Sequence, residues 1–203
     1  MAEKTPEEMR EAVLAIREKM AAAAREAGRD PAEVQLCAAC KTHTAETVAA
    51  SAALPIDVFG ENHVQELCAN FDAGAYCGKP SHFIGHLQTN KIKYIAPFVR
   101  MIQSVDSARL AEAIQKEAAK CGRVIDILLE IHVAQEETKT GWDIAELLPC
   151  VESGLFSALP NLRVRGVMGI ATNTDDEAVI RRDFDELRRC FDLLRSAFST
   201  DFD

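Results

Sequence analysis

The sequence predicts an α/β fold with a parallel sheet, because six short apolar segments alternate with helical segments along most of the chain. Polar residues and glycines gather where the apolar segments end, as they do on the active face of parallel α/β proteins. No Gly-x-Gly-x-x-Gly follows the first apolar segment, which disfavours a dinucleotide-binding sheet. Two architectures fit: a doubly wound open sheet, and a (β/α)8 barrel of the TIM type that lacks its last two units.

An N-terminal helix is predicted over residues 5–28. Thr5 is the expected N-cap, Pro6 occupies the first helical position, and Glu8 completes a capping box. Apolar residues then recur at helical spacing, at Met9, Val13, Ile16 and Met20. Gly28 is the expected terminator, because glycine tolerates the left-handed conformation that ends many helices.

Six strand–helix units follow from residue 34 to residue 199, and no linker-like segment interrupts them. The predicted strands cover residues 34–40, 56–59, 81–85, 100–105, 124–133 and 162–170. The predicted helices cover 45–53, a segment through Val64 and Leu67, a segment that begins near Asn90, 107–121, 143–153 and a final helix. The alternation implies parallel strands with right-handed crossovers, and we expect a single domain over residues 1–203.

The final helix is predicted to begin with a second capping box, from Thr174 to Glu177. Its expected apolar stripe consists of Ile180, Phe184, Leu187, Phe191, Leu194 and Phe198. Four arginines fall largely off that stripe, namely Arg181, Arg182, Arg188 and Arg189. We interpret them as a solvated face rather than a binding patch.

Composition restricts the classes of function. The formal net charge of −9 disfavours general nucleic-acid binding, which needs a basic surface. The seven cysteines suggest neither a disulfide framework nor a zinc ribbon, and they fit a reducing, cytoplasmic setting. No signal peptide and no membrane-spanning segment is predicted.

Lys41 is the most distinctive candidate residue, because it directly follows the first apolar segment. Burial would lower the pKa of its amine, and a neutral amine can attack a carbonyl carbon to form a Schiff base. The alternative is a lysine whose ammonium group simply reaches solvent from the strand end. Polar groups also follow later strands, at 60–63, 85–88, 104–107 and 168–169, and each alone fits a turn. Their combination with a lysine on one rim favours a binding site.

A metal site is less favoured. His82 and His86 are four residues apart, but they flank a strand end rather than lying on one helix, so their spacing does not indicate a ligand pair. His43 and His63 are further candidates, yet no carboxylate-rich set accompanies the histidines. We predict no metal, and a metal-dependent barrel hydrolase is the third-ranked function.

Six motifs occur in a characteristic order. They are Cys40-Lys-Thr42, Phe59-Gly-Glu-Asn62-His-Val-Gln-Glu-Leu67, His82-Phe-Ile-Gly-His-Leu-Gln88 with Asn90-Lys91, Ser104-Val-Asp-Ser107, Lys139-Thr-Gly141 and Arg165-Gly-Val-Met-Gly-Ile170. Together they resemble the pyridoxal phosphate homeostasis proteins, single-domain relatives of the alanine racemase barrel. The resemblance covers nearly the whole chain and favours the barrel, of the fold type III class that binds pyridoxal 5′-phosphate.

The resemblance implies that pyridoxal 5′-phosphate (PLP) is held as an internal aldimine on Lys41. We expect Asn62, His86, Ser104 and Met168 to line the same cofactor, because they end or follow other strands of the predicted barrel. The family has no established turnover and is associated with cofactor homeostasis and amino-acid balance. The resemblance therefore implies a non-catalytic, commonly monomeric protein whose partners are PLP and PLP-dependent apo-enzymes.

This sequence departs from the family at two places. The family's serine before the lysine is Cys40 here, and strand alternation predicts that Cys40 points away from the side of Lys41. The family's phosphate loop, and the arginine that faces the pyridine nitrogen, belong to seventh and eighth strands beyond these 203 residues. We expect weakened phosphate binding and unpaired edges on the first and sixth strands.

The alternative function is a PLP-dependent enzyme that resembles amino-acid racemases. Racemases of this fold use a lysine on one face of the cofactor and a tyrosine on the other, usually from a second domain and a partner subunit. The two tyrosines here are Tyr76, in a glycine-rich loop, and Tyr94, on a predicted helix. The missing second domain favours the non-catalytic protein.

Overall fold

The computed structural model describes residues 5–134, 140–198 and 202. The chain divides into two compact units, one up to His82 and one from Phe83. The described residues contain six strands, and the order of the sheet is that of the sequence, from the first strand to the sixth. Each crossover therefore leads to the neighbouring strand, as in a barrel, whereas a doubly wound sheet reverses its order.

The first unit begins with three helices that alternate with two strands. They are α1 (Pro6–Glu26), β1 (Cys37–Ala39), α2 (Ala45–Ser51), β2 (Val58–Glu61) and α3 (Val64–Asp72). β1 and β2 pair in parallel, with Cys37 opposite Val58 and Ala39 opposite Gly60. A short strand, β3 (Ser81–Phe83), lies at the division between the units.

The second unit continues the alternation. Its elements are α4 (Ile92–Ile95), β4 (Met101–Val105), α5 (Ala108–Lys120), β5 (Ile125–Glu130), α6 (Ile144–Glu152), β6 (Leu162–Met168) and α7 (Glu177–Arg195). β5 pairs in parallel with both β4 and β6. Five of its six residues are buried, which is typical of a parallel strand that is covered on both faces. Each fully buried isoleucine or leucine stabilises the fold by about 1.5–3 kcal/mol relative to exposure.

The predicted start of the first helix is confirmed. The Thr5 N–H donates to Glu8 Oε2 at 2.8 Å, and the Glu8 N–H donates to Thr5 Oγ1 at 3.2 Å, which completes the capping box. The helix ends at Glu26, and Gly28 has a φ of 70°, as a glycine beyond a helix end often does.

Five of the six strands are shorter than predicted, and the second is displaced along the chain without a change in length. β1 covers three residues of the predicted 34–40, because Pro31–Glu33 forms a 3-10 turn and the strand pairing begins only after it, at Cys37. β2 begins at Val58, two residues later than predicted. β5 ends at Glu130 rather than near residue 133, because the next two residues pair with the segment around Trp142 instead. Apolar sequence therefore marks each strand but does not fix its ends.

The predicted start of the final helix is wrong, and its predicted apolar stripe is right at Leu194, which is buried, but wrong at Phe184. The N-cap is Asp176, whose carboxylate accepts from the Ala178 N–H at 2.9 Å, whereas Thr174 Oγ1 accepts from Asp176 and lies before the helix. The buried positions of α7 are Asp183, Cys190 and Leu194. Phe184, which belongs to the predicted stripe, is 51% exposed. The four arginines are largely exposed, as predicted, and Arg182 contacts Asp183.

Candidate functional site

Lys41 lies in a tight turn just after β1. The Cys40 N–H donates to Gly60 O at 2.9 Å, and the His43 N–H donates back to Cys40 O at 3.1 Å. Within that turn Thr42 has a φ of 69°, a left-handed conformation that is uncommon for a residue with a branched side chain. Lys41 is exposed, so the expected burial of its amine is wrong. Its ammonium group has no hydrogen bond or ion pair with any described residue, which leaves it free to meet a ligand.

Cys40 points away from this exposed position, as predicted. It is buried, and burial raises the pKa of its thiol to about 12, with a further contribution from the negative charge of Glu61. Cys37 and Cys40 have a Cys-x-x-Cys spacing. The expectation of neither a disulfide framework nor a zinc ribbon did not take this pair into account. Burial also raises the pKa of the Cys37 thiol to about 11. Raised thiol pKa values are the opposite of what a reactive cysteine pair needs.

A buried carboxyl group closes β2, directly before Asn62. Glu61 is fully buried, and its Oε1 accepts hydrogen bonds from Asn70 Nδ2 at 2.7 Å and from the Tyr76 hydroxyl at 3.2 Å. Its Oε2 has no hydrogen-bond partner among the described residues. Burial raises the pKa of Glu61, and the two hydrogen bonds only partly oppose that rise. The pKa of Glu61 therefore lies above that of an exposed glutamate.

Asn62 itself is half-buried at the end of β2. The residue precedes α3, and its amide makes no hydrogen bond with any described side chain or backbone group. Because β1 and β2 are paired in parallel, Lys41 and Asn62 both follow the carboxyl ends of neighbouring strands. The first unit therefore brings two of the predicted site residues to one edge.

In the second unit, His86 and Ser104 contact the same short loop. The Ser104 hydroxyl, which is buried in β4, donates to Gly85 O at 2.5 Å. His86 follows that glycine and is exposed, with Nδ1 3.6 Å from Asp106 Oδ2. Because the Ser104 hydrogen is already donated, its hydroxyl can offer a ligand only its lone pairs.

Met168 is the last residue of β6 and lies opposite Glu130 of β5. Its carbonyl oxygen accepts from the Ile131 N–H at 2.8 Å, which continues the ladder past the strand end. Glu130 is buried, and its Oε1 accepts from the Thr140 hydroxyl at 3.1 Å. Burial raises the pKa of Glu130, and Asp106 adds to the rise. The carboxyl ends of β4, β5 and β6 thus form one polar rim.

Gly141 holds the segment that covers the end of β5. Trp142 N donates to Glu130 O at 2.7 Å, and its indole Nε1 donates to Val105 O at 2.9 Å. Gly141 has a φ of 135°, and a Cβ atom there would lie 2.6 Å from the His132 nitrogen. Only glycine fits this close approach. Lys139, which belongs to the same motif, lies outside the described residues.

A cavity of about 560 Å³ opens beside this rim, within the size range of small-molecule sites. Its lining comes from three segments: His86 to Asn90, Asp106 to Leu110 without Ala108, and Thr140 with Gly141. The sequence predicted His86 as a site residue and placed Asp106 in a polar cluster after a strand, but it did not indicate Arg109, nor Glu130 on the neighbouring rim. The sequence signal that could have indicated Glu130 is an acidic residue at the end of an apolar strand, a pattern that Glu61 shares.

Two features are not found among the described residues. No group of three or more His, Cys, Asp or Glu side chains is placed to hold a metal ion, so the metal-dependent alternative has no ligand set there. No described helix is both long and apolar enough to cross a membrane.

Comparison with known proteins gives consistent matches. The family model described as "Alanine racemase, N-terminal domain" matches residues 13–201. The pyridoxal phosphate homeostasis protein of Aquifex aeolicus is 36% identical over 182 residues, which span 90% of this chain and 79% of the relative.

Two solved structures are also similar. A protein of unknown function from Bifidobacterium adolescentis has a TM-score of 0.86 and 34% identity, over 95% of this chain and 81% of its own. PipY of Synechococcus elongatus, solved with PLP bound, has a TM-score of 0.74 and 30% identity, over 89% of this chain and 83% of its own. The predicted fold class is confirmed: six parallel strands alternate with helices as in a partial (β/α)8 barrel.

Proposed function

This chain belongs to the pyridoxal phosphate homeostasis protein family, within the wider alanine racemase N-terminal domain family, and we propose that it binds PLP without turning over a substrate. The observation that carries the proposal is Lys41, an exposed amine without a described partner in the turn after β1. PLP supplies an aldehyde carbon that condenses with a primary amine and releases water. Lys41 Nζ is the amine that we assign to this link.

Four further residues are proposed to contact the cofactor. Asn62 offers an amide that is free of described partners, and His86 offers an exposed imidazole that can pack against a planar ring. Ser104 can only accept a hydrogen bond, since its own hydrogen is donated to Gly85. Met168 offers a half-buried thioether, which packs well against aromatic groups. We also propose that both units form one domain, since a single family model spans them.

The state of the tyrosines supports a non-catalytic role. A racemase needs a second base beside its lysine, and tyrosine is the residue expected to supply it. Burial, with the negative charge of Glu61, raises the pKa of Tyr76 far above its usual value, and its hydroxyl is donated to that carboxyl group. Tyr94 lies exposed on the four-residue α4, where two lysines contact its ring.

The cellular role that we propose is to keep PLP bound and available to PLP-dependent apo-enzymes, in a reducing compartment. The seven cysteines support the compartment, because all of them are free thiols. Handover to apo-enzymes remains a prediction, and so does a monomeric state.

The test is covalent trapping. Mixed with PLP, the protein should gain a visible absorbance band, and borohydride should fix the adduct on Lys41. Lys41→Ala should lose the band, whereas the control Lys91→Ala should keep it, since Lys91 already packs on Tyr94. An adduct mapped to Lys91 or Lys139 would overturn the assignment.

A second measurement addresses catalysis. Incubation of the PLP-loaded protein with L-alanine should leave the optical rotation of the amino acid unchanged over many molar equivalents. Steady racemisation that disappears in Lys41→Ala would favour the racemase-like alternative.

A further inference from the structure

We propose that the cavity of the second unit is a binding site for a free amino acid, recognised through its carboxylate and ammonium groups. The site is formed by Arg109, Asp106 and the polar groups around them. It does not rest on the proposed cofactor function, because Arg109 and Asp106, which carry it, are not among the residues assigned to PLP; His86, which is so assigned, lines the same cavity.

Arg109 supplies the carboxylate partner. It lies in the first turn of α5 and lines the cavity, yet it makes no hydrogen bond or ion pair with any described residue. Six other arginines of the second unit, by contrast, contact a described carboxylate, and they are Arg100, Arg163, Arg181, Arg182, Arg188 and Arg189. A planar guanidinium with all five donors free is suited to a bidentate carboxylate contact.

Asp106 supplies the ammonium partner. It precedes the N-cap of α5 and is largely buried, and its Oδ1 accepts from the Ser107 hydroxyl at 3.0 Å. Its Oδ2 lies 3.6 Å from His86 Nδ1, longer than a strong charge-assisted hydrogen bond, so it retains capacity for a cation. Asp106 and Arg109 thus place opposite charges in one cavity, three residues apart in sequence.

This charge pattern selects the ligand class. A phosphate or a simple anion would be attracted by Arg109 but repelled by Asp106. A simple amine would be attracted by Asp106 but repelled by Arg109. A zwitterion satisfies both residues at once. The hydroxyls and amides of Ser107, Thr140, Gln88 and Asn90 can accept or donate further hydrogen bonds, and the volume leaves room for a side chain.

The experiment is an NMR titration of the 15N-labelled full chain with L-alanine, without added PLP. Saturable shifts are expected for the backbone amides of Ser107 to Leu110 and of Gly141. Acetate, methylammonium and inorganic phosphate are titrated in parallel, and each should bind at least about tenfold more weakly than the amino acid, because each loses one charged contact. Phosphate binding as tight as that of L-alanine would overturn the zwitterion assignment.

Variants locate the two contacts. Arg109→Gln should weaken L-alanine binding by about ten- to a hundredfold. The control Lys116→Gln changes the net charge equally and lies on the same face of α5, about 10 Å further along the helix, and it should bind normally. Asp106→Asn keeps an acceptor for Ser107 and should weaken binding of methylammonium but not of acetate.

The remaining outcomes separate this proposal from the cofactor function. Lys41→Ala should bind L-alanine as the unmodified chain does, whether or not PLP binding fails. The proposal is wrong if no saturable shifts occur, or if Arg109→Gln, shown by its melting curve to be folded, binds as tightly as Lys116→Gln.

Discussion

Two buried carboxyl groups, one in each unit, have pKa values that are shifted in opposite directions. Glu61 in the first unit and Asp183 in the second are both almost completely inaccessible to solvent. Burial raises the pKa of Glu61 above its usual 4.5. Burial also acts to raise the pKa of Asp183, but its hydrogen bonds outweigh that effect and lower the pKa to about 2.

The partners explain the difference. Asp183 Oδ2 accepts from the Thr172 N–H at 2.8 Å and the Thr172 hydroxyl at 2.6 Å, and its Oδ1 accepts from Arg182 at 2.7 Å. Glu61 has two neutral donors, Asn70 and Tyr76, both on one oxygen, and no described lysine or arginine donates to it. Burial alone therefore does not set the ionisation state; the charge and number of the donors do.

The different partners give the two groups different tasks. Asp183 fixes the loop between β6 and α7, because Thr172 lies in that loop and Asp183 lies on the helix. Glu61 lies at the end of β2, directly before the predicted cofactor ligand Asn62. The raised pKa extends the pH range in which Glu61 keeps a hydrogen to donate, whereas the ionised Asp183 can only accept.

The largest expected effect comes from Asp183→Asn. The donors lie on both carboxylate oxygens, and an amide has only one oxygen, so its N–H groups would face either Arg182 or the two Thr172 donors. We therefore expect a loss of about 2–4 kcal/mol in the free energy of unfolding. Urea denaturation at pH 7 measures the loss. Asp185→Asn, an exposed neighbour on the same helix, is the control and should change stability by less than about 0.5 kcal/mol.

The same variant has a defined pH dependence. Because the folded-state pKa of Asp183 is about 2 and its usual value is 3.8, its stabilisation is complete above about pH 4 and disappears as the pH falls towards 2. The stability gap between the wild type and Asp183→Asn should therefore shrink in acid. A gap that stays constant from pH 7 to pH 2 would mean that the carboxylate charge contributes nothing.

Glu61→Gln should have a smaller effect with the opposite pH dependence. Glutamine keeps an oxygen for Asn70 and Tyr76 but leaves an amide nitrogen where Oε2 lies, so we expect a loss of no more than about 1.5 kcal/mol at pH 4.5. The raised pKa means that the wild type loses stability as the pH rises above 4.5 through the folded-state value. The loss relative to wild type should therefore shrink, or become a gain, at pH 8.

The control for this measurement is Glu18→Gln, an exposed position on α1 with the same change in net charge. Its difference from wild type should not vary with pH in this range. If Glu61→Gln also shows no variation, the carboxyl group is not held in its protonated form.

The smallest expected effect is that of Tyr76→Phe, which removes one of the two donors to Glu61. The ring contact with Phe59, at 5.5 Å between centroids, remains, so the cost should be about 1 kcal/mol at pH 7. Loss of this hydrogen bond should also raise the pKa of Glu61 further and move its stability transition to higher pH. Tyr94→Phe is the exposed control. An equal loss of unfolding free energy in Tyr94→Phe would show that the hydrogen bond from Tyr76 to Glu61 does not stabilise the fold.

Local signals determined most of the fold in advance. The capping box at Thr5, the alternation of strands and helices and the position of Gly28 follow from backbone hydrogen bonding and helix capping, which act within a few residues. The six ordered motifs, above all those that begin at Phe59 and His82, predicted the family, and the family resemblance indicated Lys41 as the residue that we assign to the cofactor link. These features depend on neighbours in sequence, so a sequence displays them.

Burial and partner choice were decided only by the tertiary structure. The sequence could not show that Lys41 is exposed rather than buried, or that Thr42 adopts a left-handed turn, because both follow from how β1 ends against β2. It also did not indicate that Asp183 and Cys190 are buried on the same face of α7 as Leu194. Above all, Glu61 and Asp183 look alike in sequence, but their pKa values are shifted in opposite directions. The donors to Glu61 lie nine and fifteen residues away, at Asn70 and Tyr76, and those to Asp183 lie one and eleven residues away, at Arg182 and Thr172.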